Sequence, residues 1–413
     1  MSLGLRAEST TEAVAARREA VDRHILVALL GLMTILSYGT TYYLLTVLGP
    51  AIVAETGWPL PPVVGGLSLG LMASGLAAPW IGRRIERYGG RAALPAACLA
   101  VAGGHVVLGL SHSLWLYGVA WILLGLGMAG TFYEAAFASL GRQYGLRARA
   151  MITMLTLYGG FASTICWPIS AALVDLLDWR QTCFIYAAAM AVMSVLLRRC
   201  FGPPPPAATL VPASRGTVGE TAAAQRPPRV AALVALGFLL ALSATITTVV
   251  SVHLIPLLGA RDVASSAAVA MGALIGPSQV GARVIEYAIG RRFHPLWTLV
   301  ASTVLMVLGL GLLALGWAWV ALTLVLYAGG VGLKSIANGT VPLALVGPSG
   351  YATIMGRLAM PSLMMQALAP VGAAELLAGG HGAADTLLWA LAGAALLNLL
   401  LALALLRQRT RSR

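Results

Sequence analysis

Lys334 is the only lysine in a chain of 413 residues; the other 26 basic residues are all arginine. It lies within YAGGVGLKSIANGTVPLALVG (327–347), 15 residues after Trp319 and 13 before Gly347, which is about 20 Å from either end of a helix. A charge that deep in an apolar run is costly unless it meets a counter-charge, a solute or a water-filled cavity. Glu134 is the one acid well inside another such run, seven residues before Gly141. Two roles for the ammonium therefore stand side by side and can coexist: holding an anionic solute, and pairing with Glu134. The Glu134 carboxyl is the candidate proton carrier. Arg283 and Glu286 lie nearer the end of a third run, and Arg283 is open between solute contact and a role at the adjoining loop. His253 and His105 are lone histidines in apolar surroundings, read as hydrogen-bonded within a bundle, with proton coupling (His253 above all) as the alternative. Asn338 sits one helical turn from Lys334. Thr41, Tyr42 and Tyr43 (with Ser37 and Thr40), Thr248 (with Thr245 and Thr247), Tyr133, Tyr158 and Gln279 are further candidates to line a cavity; for each, packing is the competing role.

The elements that must carry these groups follow from composition. Hydrophobic residues make up 59% of the chain and charged ones 10%, against about 25% charged in soluble domains. Apolar runs of 18 or more residues recur throughout, each long enough to cross a ~30 Å hydrocarbon core. The expectation is an all-α, multi-pass membrane protein. The net charge of +13 is dispersed between the runs and so does not point to nucleic acid. Twelve spans are expected, near 25–48, 60–81, 92–110, 115–138, 150–173, 182–198, 231–257, 265–289, 296–314, 318–346, 353–378 and 386–406. The first 23 residues mix charges and lack the core of a signal peptide. Within them STTE (9–12) fits a capping box. Four cysteines, Cys98, Cys166, Cys183 and Cys200, have no metal-site spacing and read as small buried residues.

Arginine distribution sets the topology. Both termini, the 198–230 segment and the loops GRRIERYGGR (82–91), GRQYGLRARA (141–150) and GRRFHP (290–295) hold nearly all the arginines, whereas the opposite loops hold only Arg180 and Arg261. Positive loops stay cytoplasmic, so both termini are expected there, with Trp115, Trp317 and Trp319 at the outer interface. The proline-rich 199–230 stretch reads as an extended linker. The expected organisation is a cytoplasmic segment (1–24), a six-helix bundle (25–198), the linker (199–230), a second six-helix bundle (231–406) and a basic tail (407–413). The halves resemble each other at three places in order, at offsets near 200 to 207: 26–37 with 233–244, 82–91 with 281–292, and 123–141 with 327–347. The last match sets Glu134 against Asn338 and Lys334 against Gly130, while the second sets Arg283 beside Arg84. Such a parallel duplication places a solute site near the midplane between the halves.

GRRIERYGGR resembles the signature loop of the major facilitator superfamily through Gly82, Arg87, Gly89 and Arg91, with Glu86 where the family has aspartate and Gly90 where it usually has a basic residue. DWRQTCFIY, with Trp179, Arg180 and Phe184, is similar to a second element of that family. The resemblance covers the whole chain and implies two pseudo-symmetric six-helix bundles in a bacterial cytoplasmic (inner) membrane. The first and fourth helices of each half would line the cavity, and the protein would be a monomer. It also implies a cytoplasmic latch at Gly82, Glu86, Arg87, Gly89 and Arg91, in which Glu86 exchanges partners near Arg83, Arg84 and Arg87; a solvated loop that only orients the chain is the alternative. Trp121 stands near where proton-coupled members carry an arginine, and 159–172 lacks the paired glycines common in antiporters.

Three literal motifs fail on context. GLGMAG (125–130) and GLSLG (66–70) lie mid-helix, without the strand that a dinucleotide fingerprint or nucleophile elbow needs, and read as packing faces. NGT (338–340) is a sequon buried in a span. With no phosphate-binding loop, no metal motif and no clustered acid–base residues, the expectation is a secondary transporter. It would move a small organic anion by alternating access on an ion gradient, H+ first among candidates, with no cofactor, metal or nucleic-acid partner. An efflux pump for drugs or other toxic compounds, arsenicals included, is the alternative. A non-transporting sensor or membrane enzyme is the alternative from another class.

Overall fold

The computed structural model describes residues 23–201, 230–380 and 382–410, which are helical with no strand among them. The capping box at 9–12, most of the 199–230 linker and residues 411–413 of the tail lie outside the described residues. The first half contains α1 (Arg23–Thr56), α2 (Leu60–Tyr88), α3 (Gly90–Gly109), α4 (Leu114–Thr131), α5 (Tyr133–Tyr144), α6 (Ala148–Gly159), α7 (Ala162–Leu176) and α8 (Trp179–Cys200). The second contains α9 (Val230–Gly259), α10 (Ser265–Gly272), α11 (Ile275–Ile289), α12 (Pro295–Ala314), α13 (Val320–Val346), α14 (Tyr351–Leu377) and α15 (Ala383–Thr410). Ten helical stretches are long and apolar enough to cross a membrane, against the twelve spans expected. One of the ten, Leu114–Leu176, turns back at Gly145 and so holds two expected spans; α14 is not among the ten. In lipid a helix satisfies its own backbone groups, which is why apolar runs this long become helices in spite of their internal prolines.

Each half has its own apolar core. One cluster is built almost wholly from residues 26–201, and two others from residues 236–405. The duplication is visible in the packing. In the first half α3 packs on α4 and α8, and in the second α12 packs on α13 and α15. Small residues make both contacts close. A Cβ on Gly127 would meet Val101 of α3, and one on Gly330 would meet Met306 and the Ser302 carbonyl of α12. GLGMAG is therefore a packing face, as is GLSLG, whose Gly66 and Gly70 lie against the buried Trp121 ring. The two arginines of the sparsely charged end are also equivalent. Arg180 donates to the Gly109 and Ser111 carbonyls at 2.9 and 2.6 Å and pairs with Glu55 at 2.8 Å. Arg261 donates to the Leu313 and Ala314 carbonyls at 2.8 and 2.7 Å and pairs with Asp385. Each ties down the orphan carbonyls at one helix C-terminus, where a cation is favoured.

The halves meet along α2 and α14 and, toward the arginine-rich end, along α6 with α11 and α13. Gly82 and Gly356 make the α2–α14 approach possible: a Cβ on either would strike the backbone of the other helix, at Ala352 or Ala78. Of the cysteines, Cys98, Cys166 and Cys183 are buried, but Cys200 is exposed at the end of α8, contrary to its reading as a buried residue. All four are free.

Candidate functional site

Backbone irregularities gather where the polar side chains lie. Tyr38–Tyr42 is a π-helical turn within α1, a feature that recurs at functional sites. The expected fourth span breaks at Phe132, whose ψ of 175° is extended, so Glu134 falls in the first turn of α5 rather than mid-helix. There the helix dipole favours its negative charge. The expected fifth span breaks at Gly160 and Phe161, between α6 and α7. Discontinuous helices of this kind build solute sites in transporters because freed backbone groups can serve as ligands.

Glu134 on α5 faces Lys334 on α13. Each lies within electrostatic reach of the other, and Glu134 is also close to the Tyr38 and Tyr351 hydroxyls. They do not form an ion pair: those found among the described residues are Arg180–Glu55 and Arg261–Asp385. A small cavity of about 10 Å³, room for about one water molecule, lies against Glu134 between Ile81, Gly82, Ala135, Gly356 and Leu363.

Arg283 is brought into the same region. It is 4% exposed, and its guanidinium bridges the halves. Nη1 donates to the Thr156 carbonyl of α6 at 2.8 Å, Nη2 to Ser335 Oγ and Gln279 Oε1 at 3.1 and 3.3 Å, and Nε to the Gly332 carbonyl at 3.4 Å. A Cβ on Gly160 would sit 2.6 Å from Nη1, so a side chain there would displace the guanidinium from its present position. Arg283 also lies beside Tyr133 and Tyr43. The repeat alignment set it near Arg84, but Arg84 is exposed and lies over the Trp80 and Tyr88 rings. All four of Arg283's acceptors are neutral.

The remaining candidates divide. Tyr42 lies in α1 with its hydroxyl near Thr248 of α9. Tyr43 packs edge-on to Trp167, with ring centroids 6.0 Å apart. Tyr133 stacks on Phe137 at 5.4 Å and approaches Tyr38 at 5.3 Å. Asn338 Oδ1 is buried without a partner among the described residues. Thr41, by contrast, is fully buried and turns its hydroxyl back on the Ser37 carbonyl at 2.6 Å. His253 stands apart from Glu134 at a kink before Pro256, with Nε2 3.1 Å from the Pro370 carbonyl of α14. His105 is buried edge-on to Tyr186, with no partner for either ring nitrogen among the described residues, so it is not the hydrogen-bonded histidine expected. Sequence reasoning passed over Tyr38, Thr156, Ser335 and Trp167. No motif marks them; Tyr38, four residues from Tyr42, offered the one usable signal.

At the arginine-rich end, Glu86 reaches across the halves. Its Oε1 and Oε2 accept from the Gly350 and Ala352 N–H groups, both at 3.1 Å, at the start of α14. Its partners are thus a helix N-terminus rather than Arg83, Arg84 or Arg87, all of which are exposed, as is Arg91. Arg142, buried and not foreseen, donates from Nε to the Glu86 carbonyl at 3.1 Å. Gly89 ends α2 at φ 73°, a conformation that favours glycine. Gly90 has no room for the basic residue usual there, because Ser139 Oγ lies 2.6 Å from where its Cβ would be.

A bundle of two duplicated halves, with charged groups buried between them and Glu86 bound to a helix N-terminus of the other half at one end, has the architecture of a membrane transporter. The Major Facilitator Superfamily model matches residues 30–370, and the chain belongs to that family. Solved structures with the same fold include the human organic anion transporter MFSD10 (TETRAN), at 18% identity and TM-score 0.67, covering 92% of this chain and 98% of that one. The transporter FucP in the outward conformation is similar at 13% identity and TM-score 0.72, over 93% and 99% of the two chains. The proton:xylose symporter XylE bound to 6-bromo-6-deoxy-D-glucose is similar at 13% identity and TM-score 0.66, over 94% and 95%. No curated protein sequence matches the chain.

Proposed function

We propose that this protein is a secondary transporter that carries a small organic anion across a bacterial inner membrane by alternating access, on twelve spans and with both termini cytoplasmic. The observation that carries the reading is the charge balance between the halves. Two buried or half-buried cations lie on the second half: Lys334, within electrostatic reach of Glu134, and Arg283, bonded to the neighbouring Ser335, and neither forms an ion pair among the described residues. A buried charge without a counter-charge costs several kcal/mol, and a bound carboxylate would offset that cost at both cations. Glu134, reached by the small cavity between α2 and α14, is the proton carrier in this reading, so the driving ion is H+. MFSD10 is named an organic anion transporter, which agrees with the charge argument without extending to a particular solute. The arginine-rich loops support a cytoplasmic reading of that end, and on this reading the Glu86 contacts with α14 belong to a state closed on that side.

The test is transport in proteoliposomes, with substrates first found by a thermal-shift screen of organic anions, sugars, drugs and arsenicals. Lys334→Ala and Lys334→Arg should both impair uptake, because a compact ammonium and a planar guanidinium hold an anion differently. Wild-type kinetics in both variants would refute the solute-site assignment. Binding of neutral or cationic compounds alone would refute the anion.

A further inference from the structure

The two faces of the site differ in chemistry. The first half contributes aromatic rings joined by stacked, tilted and edge-to-face contacts into one wall. Tyr38 stacks flat on the buried Phe132, with centroids 4.1 Å apart and planes 10° from parallel. It lies 5.9 Å from Tyr42 and 5.3 Å from Tyr133, and Tyr42 meets Tyr43 at 5.3 Å and 89°. These four tyrosines are only half-buried, while Phe132 behind Tyr38 is 3% exposed. Ring surface is thus left accessible on one side of the wall and is backed by packing on the other. The second half supplies the cations, and Arg283 Nη1 and the Tyr133 hydroxyl both donate to the Thr156 carbonyl, at 2.8 and 3.5 Å. With all three charged groups ionised, Arg283, Lys334 and Glu134 leave one net positive charge.

Building on the anion reading above, we propose that the solute is an aromatic monocarboxylate. Its ring would lie against the Tyr38, Tyr42, Tyr43 and Tyr133 wall, and its carboxylate would be taken by Arg283 and Lys334. One negative charge matches the net charge of the site. Aromatic rings prefer edge-to-face or offset contact with other rings, and the wall consists of four rings that are only half-buried. An aliphatic ring of the same size gains the burial but not the quadrupole interaction.

The inference is tested by titrating the purified full chain, in detergent, with benzoate, cyclohexanecarboxylate, pentanoate, benzyl alcohol and benzylamine, following binding by calorimetry. Benzoate is expected to bind roughly five- to twentyfold more tightly than cyclohexanecarboxylate, the range that one or two ring contacts supply. In Tyr38→Leu that ratio should fall toward one, while cyclohexanecarboxylate still binds, which also reports a folded site. Equal affinity for the two ring acids in the wild-type protein would overturn the aromatic inference and leave the anion reading standing. A preference that survives in Tyr38→Leu would overturn the assignment to this wall. Tighter binding of benzyl alcohol or benzylamine than of any carboxylate would overturn both readings.

Discussion

Glu86→Gln should unlatch the arginine-rich end. The carboxylate accepts two backbone N–H groups at the start of α14, each at 3.1 Å, where the helix dipole adds to the attraction. Glutamine has one oxygen to accept a single N–H, and its amide would face the other donor. Hydrogen bonds to a charged group contribute about 1.5–3 kcal/mol and neutral ones about 1 kcal/mol. With Glu86 half-buried, the net loss is about 2 kcal/mol after allowance for solvent screening, roughly a thirtyfold shift in the ratio of closed to open forms. Spin labels on cysteines replacing Arg147 and Arg292, both exposed and in opposite halves, report the separation. Cys200, the one exposed native cysteine, is first replaced by serine. The Glu86→Gln variant should show a longer distance population at the expense of the short one. Arg83→Ala, on an exposed neighbour, should leave the distribution unchanged. An unaltered distribution in Glu86→Gln, or an equal change in Arg83→Ala, would refute the helix N-terminus as the partner.

Gly82→Leu should act in the same direction by another route, since its side chain would strike the Ala352 carbonyl. Overpacking of this kind costs about 1–3 kcal/mol, and a closed distance identical to wild type would show that α2 and α14 need not approach so tightly. Glu134→Gln should abolish pH-driven accumulation while sparing counterflow exchange; loss of both in a protein that still binds its solute would assign Glu134 to the structure of the site instead.

Much of this was legible in the sequence where chemistry and periodicity coincide. Apolar runs gave helices, and the repeat set α4–α5 against α13, which is how Glu134 and Lys334 could be expected at similar depth. Gly82 and Gly89 stood out by motif, and the structure supplies separate physical reasons for each. Other features depend on partners that side-chain types do not encode. Glu86 takes backbone N–H groups some 265 positions away. The break at Phe132 has neither proline nor glycine to announce it. The repeat set Arg283 against Arg84, but Arg283 is buried where Arg84 is exposed, and what its guanidinium reaches is a carbonyl of the other half.

In the proposed cycle that reach would couple the chemistry of the site to the movement of the halves. A guanidinium carries five N–H donors, and four hydrogen bonds satisfy Arg283, one of them to Thr156 across the interface. In the proposed cycle α6 and α11 separate at the arginine-rich end, and Nη1 loses that acceptor while the side chain remains among α11 and α13. An orphaned donor in a buried position costs about 1–3 kcal/mol. A bound carboxylate can take over the bond, so the solute stabilises the very state in which the halves have parted there. Lys334 offers no such link, because among the described residues it makes no hydrogen bond across the interface. The two cations therefore have separate roles. On the proposed reading Lys334 would set the charge of the site, and Arg283 would tie its occupancy to the position of the other half.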